Sequence, residues 1–337
     1  MKQAYSTDKI NLIMMLLALA LAILFPFKTF LYSFAILGPL HYLTEINWLN
    51  EKQYFTSHNR HFKKIAVLAT LIFILPFALK NESLKNLLFS NNGNEGFSQL
   101  KVLTNGILLG LIGLSLGFSI WKKLYPSLIL MLIFGTMILF FQSNSTFLIW
   151  TGIYIPTIVH VYVFTGIFML YGSLKSKSKI GLFNVLILLL IPFIISNINI
   201  DSSHYHFSNS IKSTFIDNNF HILNAKLSGM IGNSDGASFF FYEAIDLKIQ
   251  IFIAFAYSYH YLNWFTKTTI IKWHKNFNWR EIILIGSLWI AAMTLYYIDF
   301  STGFLIVLFF STLHVFVEFP LNIVSFKGIM SEIFRLK

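Results

Sequence analysis

Long apolar runs recur along the whole chain and are separated by short polar stretches. A helix needs about 20 mostly apolar residues to cross a ~30 Å hydrocarbon core, and these runs have that length. Membrane barrels need short alternating strands instead. We therefore predict an all-α, polytopic integral membrane helical bundle of about 10 transmembrane helices, with residues 1–337 forming a single transmembrane domain. The predicted spans are 9–27, 29–48, 64–80, 100–121, 124–142, 146–172, 180–199, 243–266, 280–299 and 302–325.

The composition agrees with a chain that lies mostly in lipid. Hydrophobic residues make up 56% and charged residues 12% of the 337 positions, whereas about a quarter of an ordinary soluble domain is charged. The mean hydropathy is +0.66. Cysteine is absent, so neither a disulfide framework nor a thiolate metal site is possible. The lipid bilayer is therefore the first predicted partner.

The net charge of +11 has two interpretations, nucleic-acid binding and membrane orientation. Basic residues collect in every second connection between the predicted spans, for example Lys122–Lys123 and Lys175–Lys179. Cytoplasmic loops of membrane proteins carry such an excess. We therefore predict no nucleic-acid partner. We predict that both termini are cytoplasmic and that the protein lies in a bacterial inner membrane.

The stretch at about 200–242 is the longest polar segment, rich in Asn, Ser and Asp. We predict that it is an extracytoplasmic loop and a candidate lid. Its His204, Tyr205 and His206 are a candidate surface metal site, although most loop histidines bind no metal. The predicted fourth span has a different signal, small residues four apart at Gly106–Gly110 and Gly113–Gly117, which indicates close helix packing.

Four histidines lie inside predicted spans, where ionisable residues are costly and mark function by default. They are His41, His160, His260 and His314, on spans two, six, eight and ten, which all run in the same direction. Their depths differ by less than about 10 Å at 1.5 Å per residue. We predict a shared site for Fe(II), Zn or Cu, since imidazole is a common ligand of these metals. Hydrogen-bonded packing, proton relay and substrate binding without metal are the alternatives.

Two carboxylates accompany these histidines. Glu45 and Glu318 each follow a histidine by four residues and lie on the same helix face. A carboxylate commonly accepts the outer N–H of a ligating histidine and fixes its tautomer. We predict that both support catalysis by orienting ligands. Aromatic residues near these positions predict a pocket for a lipophilic substrate, although aromatic belts give the same composition. The pocket candidates are Tyr42, Tyr162, Tyr259 and Trp264.

Three stretches resemble motifs of the Brp/Blh family of membrane carotene-cleaving dioxygenases: Gly38-Pro39-Leu40-His41 to Glu45, Tyr259-His260 to Trp264, and Leu313-His314 to Glu318. The similarity as a whole covers about a fifth of the chain. Leu40 separates Pro39 from His41, and the family's paired histidines in the aromatic span are reduced to His260. The resemblance implies a non-haem Fe(II) held by histidines that activates oxygen beside an apolar alkene.

Three functions remain open at this stage. The first is a membrane-embedded non-haem iron oxygenase, such as an Fe(II)-dependent dioxygenase, with a carotenoid or isoprenoid-like substrate. The second is a transporter or permease that uses the same His and Glu residues as a proton or cation path, although no internal repeat supports it. The third is a di-iron desaturase or hydroxylase using His58, His61 and His274, and the chain has few histidines for it.

Overall fold

The computed structural model describes residues 2–51, 60–79, 93–232, 234–266 and 278–335. Within these ranges the chain is helical apart from short connections, and they contain no strand. The predicted all-α class is therefore confirmed. The α-helices are α1 (Lys2–Leu24), α2 (Pro26–Tyr32), α3 (Gly38–Glu51), α4 (Arg60–Ala78), α5 (Gly93–Trp121), α6 (Leu124–Phe141), α7 (Ser145–Ile149), α8 (Thr165–Ser176), α9 (Lys179–Asn197), α10 (Asn209–Asp217), α11 (His221–Met230), α12 (Ala244–Thr266), α13 (Trp279–Ile298) and α14 (Phe300–Arg335).

Two segments, Ser33–Leu37 and Trp150–Phe164, form π-helices. The first joins α2 to α3, and the second joins α7 to α8. The second contains Pro156, which has no N–H to donate to the helical ladder. Wider π-helical turns are frequent at functional sites. Each segment lies close in sequence to a predicted metal ligand, since His41 follows the first and His160 lies within the second.

Seven helices among the described residues are long and apolar enough to cross a membrane, with mean hydropathies of 1.7 to 2.3. This indicates an integral membrane protein. The predicted number of about ten is not confirmed, because the spans predicted at 29–48, 64–80 and 243–266 are not among the seven. The helices at these three positions carry charged residues, for example Glu45 on α3, Lys63 on α4 and Asp246 on α12. The seven are Ser6–Leu24, Val102–Trp121, Leu124–Phe141, Ser145–Ser176, Lys179–Asn197, Trp279–Ile298 and Phe300–Phe334.

The chain divides into two compact units that alternate along the sequence. Unit 1 consists of residues 1–41, 158–304 and 328–337, and unit 2 consists of residues 42–157 and 305–327.

Helix α12 is the centre of unit 1. It packs against α1, α2, α9, α11 and the π-helical segment before α3. Apolar and aromatic residues surround it on every side, as expected for a helix buried all round. Polar contacts fix its position: the Tyr259 hydroxyl donates to Asn11 Oδ1 at 3.1 Å.

Unit 2 contains the close helix packing that the glycine pattern predicts. A Cβ atom added at Gly113 of α5 would lie 2.5 Å from the Leu130 carbonyl oxygen of α6. At Gly117 it would lie 2.6 Å from the Cα atom of Ser127. The prediction of packing by small residues is therefore confirmed.

The predicted extracytoplasmic loop at 200–242 is folded. It contains α10, α11 and a short 3₁₀ turn, Ser202–His204. Its phenylalanines pack on Phe27 of α2, with ring centroids 4.6 Å away for Phe207 and 4.9 Å away for Phe215. Aromatic pairs at such distances add to the stability that apolar burial provides. The segment is thus anchored to unit 1 by aromatic side chains.

Candidate metal centre

Unit 1 brings three of the predicted histidines together. His41 lies in the first turn of α3, His160 lies in the long π-helical segment, and His260 lies on α12. The His260 ring centroid is 4.7 Å from that of His41 and 5.0 Å from that of His160. The three side chains are between 1% and 6% exposed. Burial favours neutral imidazole, which is the form that binds metal.

A threonine hydroxyl fixes the orientation of His260. Thr165 Oγ1 lies 2.8 Å from His260 Nδ1 and donates to the Val161 carbonyl oxygen at 2.9 Å. A hydroxyl has one proton, and Thr165 donates this proton to the Val161 carbonyl oxygen. Thr165 Oγ1 therefore accepts a hydrogen bond from His260 Nδ1–H. His260 then carries its proton on Nδ1 and its lone pair on Nε2. This is the tautomer that a metal ligand needs, with its outer N–H held by a neighbour.

Aromatic rings form the surroundings of these histidines. The His41 ring centroid lies 5.3 Å from that of Tyr261 and 5.7 Å from that of Trp264. Phe164 lies 6.3 Å from His160. Such walls exclude water. Trp264 therefore lies beside a predicted metal ligand, and its predicted contact with substrate stays a prediction.

The phenols of two other pocket candidates have structural partners. The Tyr162 hydroxyl donates to the Leu188 carbonyl oxygen at 2.5 Å, and its ring packs 5.0 Å from that of Phe252. The Tyr259 hydroxyl bonds to Asn11. Both side chains hold helices of unit 1 together, and their predicted contact with substrate stays a prediction.

Unit 2 contains the remaining predicted site residues. The ring of Tyr42 stacks on that of His314, with centroids 4.4 Å apart and an interplanar angle of 25°. A His314 ring nitrogen and a Glu318 carboxylate oxygen lie within 4.8 Å of each other. Glu45 and Glu318 are 3% and 1% exposed and close enough to interact electrostatically. The predicted role of these carboxylates in orienting ligands stays a prediction.

Buried histidine and glutamate side chains of the described residues can hold a metal ion. In unit 1, ring nitrogens of His41 and His260 lie within 4.8 Å of one another. Imidazole and carboxylate donors without thiolate suit iron, zinc and copper alike. The donor set therefore fits the predicted Fe(II) without excluding the other two metals.

The other histidines considered for metal binding are less favourable. His204 and His206 are exposed, and no group of possible metal ligands among the described residues includes them. His61 is also exposed. His58 and His274, the remaining candidates for a di-iron site, lie outside the described residues.

Sequence reasoning missed Thr165 and the π-helical segments. Thr165 lies 95 positions from His260, and a contact of that kind leaves no periodic signal in one sequence. Pro156, four residues before His160, is the one local sign of an altered helix there.

Comparison of the chain with family models, curated proteins and solved structures finds no match.

Proposed function

We propose that this protein is a membrane-embedded non-haem iron oxygenase that acts on a lipophilic, carotenoid or isoprenoid-like substrate. One observation carries the proposal: the ring centroid of the buried His260 lies 4.7 Å from that of His41 and 5.0 Å from that of His160 in unit 1, and the described residues include seven apolar helices of membrane length. Ionisable residues at such positions are costly and therefore mark function.

The ligands proposed in unit 1 are His41, His160 and His260. The sequence-based prediction adds His314 to this set and assigns the orientation of ligands to Glu45 and Glu318. Bound Fe(II) would supply the activation of O₂, which an alkene alone does not react with readily. The motif resemblance to carotene-cleaving dioxygenases supports iron over zinc and copper.

The protein's own side chains have three tasks in this function. Thr165 holds the His260 ring by its Nδ1, so that the Nε2 lone pair would be available to bind a metal. Tyr261, Trp264 and Phe164 exclude water from the histidines, which protects a reactive site from side reactions. The exposed apolar faces of the helices allow a lipophilic substrate to enter sideways from the bilayer.

The topology proposed for this function has about ten spans, with 29–48, 64–80 and 243–266 crossing the membrane in addition to the seven apolar helices. Both termini are cytoplasmic in this proposal, and the membrane is a bacterial inner membrane. The alternation of basic connections supports it.

Product analysis tests the proposed reaction. Cells that accumulate β-carotene would express the wild type, His260→Ala, and His204→Ala as a control that changes an exposed histidine. We expect wild type and His204→Ala to convert carotene to retinal-like carbonyl products that carry ¹⁸O from ¹⁸O₂, and His260→Ala to form none. Unchanged carotene with the wild type, at equal amounts of membrane protein, contradicts carotenoid cleavage.

Proton transport is the second candidate function, and the buried pair Glu45 and Glu318 favours it. Buried carboxyl groups that interact inside a membrane are typical of proton paths. Purified protein in liposomes with an internal pH-sensitive dye would separate the two functions. A proton flux that Glu318→Gln abolishes supports transport. The absence of proton flux through the wild type under a pH gradient contradicts transport and leaves the oxygenase as the candidate.

A further inference from the structure

A second buried polar cluster lies in unit 1, where α11 packs on α12. It consists of Asn224 and Ser228 on α11 and Asp246 and Gln250 on α12. Asn224, Ser228 and Gln250 are 0% exposed, and Asp246 is 3% exposed. None of these residues belongs to the histidine site, and each pair is four residues apart on one helix face.

One hydrogen bond joins the two helices at this cluster. Asn224 Nδ2 donates to the Asp246 backbone carbonyl oxygen at 2.8 Å. Inside an α-helix that carbonyl is also the acceptor for the backbone N–H of Gln250. Long helical side chains point back toward the N-terminus, so the Gln250 amide extends over the turn of Asp246. We therefore expect the amides of Asn224 and Gln250 to lie on the same side of α12, near the Asp246 carbonyl.

Aromatic contacts give the relative direction of the two helices. Phe30 lies 5.0 Å from Phe220, just before α11, and 5.2 Å from Tyr257, far along α12. From Phe220 to Asn224 the chain moves back along α12 to the level of Asp246. Ser228, one turn further, lies toward the N-terminal end of α12, where the Asp246 carboxylate is.

Several of these buried polar atoms need a partner. Asn224 Oδ1, Ser228 Oγ and both amide atoms of Gln250 have no hydrogen-bond partner among the described residues. A buried polar group in this state costs free energy unless water or an ion satisfies it. Three of the four atoms are oxygens that can coordinate a hard cation.

The Asp246 carboxylate lacks a counter-charge in the described part of the chain. Its Oδ2 accepts the Phe240 N–H at 2.6 Å, and the neighbouring Glu243, which interacts with it electrostatically, is an exposed second carboxylate. The nearby Lys248 Nζ donates to the Ser196 carbonyl oxygen at 2.7 Å instead. Burial lowers the pKa of His221 on α11, so this imidazole is neutral at pH 7. A buried charge is stable when an opposite charge compensates it.

We infer that Asp246, with the side-chain oxygens of Asn224, Ser228 and Gln250, forms a binding site for one sodium ion. A single buried carboxylate among neutral oxygens balances one positive charge, whereas Ca²⁺ sites usually combine several carboxylates. The ion links the folded 200–242 segment to the central helix of unit 1. The site does not depend on the proposed oxygenase function.

Thermal unfolding of the detergent-purified protein tests this site. Wild type, Asp246→Asn, Gln250→Leu and Asp299→Asn would be compared in NaCl, KCl and choline chloride at equal ionic strength. Asp299 is the matched control, because its carboxylate also accepts a backbone N–H near a helix start, from Thr302 at 2.7 Å, but it is exposed. A chelator of transition metals in all samples keeps the histidine site out of the comparison.

We expect sodium to raise the unfolding temperature of the wild type by several degrees, saturably, and ²²Na⁺ to bind once per chain. Asp299→Asn should keep this response, while Asp246→Asn and Gln250→Leu should lose it. Equal unfolding temperatures of the wild type in the three salts overturn the proposal, whether or not the variants fold. A response to KCl with none to NaCl overturns it as well.

Discussion

At the scale of single residues, the contact between Thr165 and His260 is the most informative feature of the site. The four histidines were predictable because a lone ionisable residue stands out in an apolar span. Thr165 was not, since a threonine in a membrane helix usually bonds to its own backbone, as Thr165 also does with Val161. Its second contact depends on how α8 and α12 pack, which one sequence does not show.

Thr165→Val should weaken metal binding at the histidine site by about 10–100-fold. Valine keeps the shape of threonine but cannot accept the Nδ1–H of His260, so the orientation and tautomer of the ring are no longer fixed. Iron retained after dialysis against graded concentrations of chelator measures the effect.

Thr165→Ser is the matched control, because serine restores the hydroxyl, and it should retain iron like the wild type. Equal retention by the valine variant and the wild type would show that the hydroxyl does not support a metal ligand.

At the scale of elements, close packing of α5 against α6 follows from glycines that were visible in the sequence. Gly113→Val should destabilise the protein by about 1–3 kcal/mol, the usual cost of overpacking, because the Leu130 carbonyl oxygen and the Phe134 ring already occupy the space. Gly286→Val is the control, since no atom outside its own helix lies within 4 Å of a Cβ added there. Unfolding in denaturing detergent measures the stability of both variants. An equal loss of stability in the two would contradict the packing assignment.

Helix α11 should give the 200–242 segment a pH-dependent stability. Burial lowers the pKa of His221 in the folded protein, while an unfolded histidine has a pKa of about 6.5. The unfolded segment therefore binds more protons below that pH, so its stability is complete above about pH 6.5 and is lost as the pH falls toward the folded pKa.

Hydrogen exchange of this segment, corrected for the intrinsic effect of pH, should accelerate between about pH 7.5 and about pH 5. In His221→Gln this acceleration should be reduced. Equal acceleration of exchange in the wild type and in His221→Gln would show that groups other than His221 cause the pH response.

Some helices could be predicted from the sequence and others could not. Apolar length gave the membrane helices, because the bilayer demands about 20 residues whatever the neighbours are. The helices of the 200–242 segment were missed, since their stability comes from tertiary contacts such as Phe27 with Phe215 rather than from apolar length. Likewise, a π-helical segment divides the helical path from 26 to 51, and hydropathy is insensitive to that change.

At the scale of the whole molecule, the proposed orientation in the membrane depends on the basic connections between the predicted spans. The chain has no cysteine, so single introduced cysteines are unambiguous labels. Ser176→Cys lies in a basic connection and should be protected from a membrane-impermeant maleimide in intact spheroplasts. Ser203→Cys lies in the folded outer segment and should react. The reverse pattern would invert the proposed topology.

The proposed oxygenase function requires that the buried histidines hold iron. The most direct measurement is elemental analysis of the purified protein for wild type, His41→Ala, His260→Ala and the exposed control His204→Ala, all with matching gel-filtration profiles. We expect close to one iron per chain in the wild type and the control, and almost none in His41→Ala and His260→Ala. Absence of any transition metal from the wild type, or iron retained in both site variants, would contradict it.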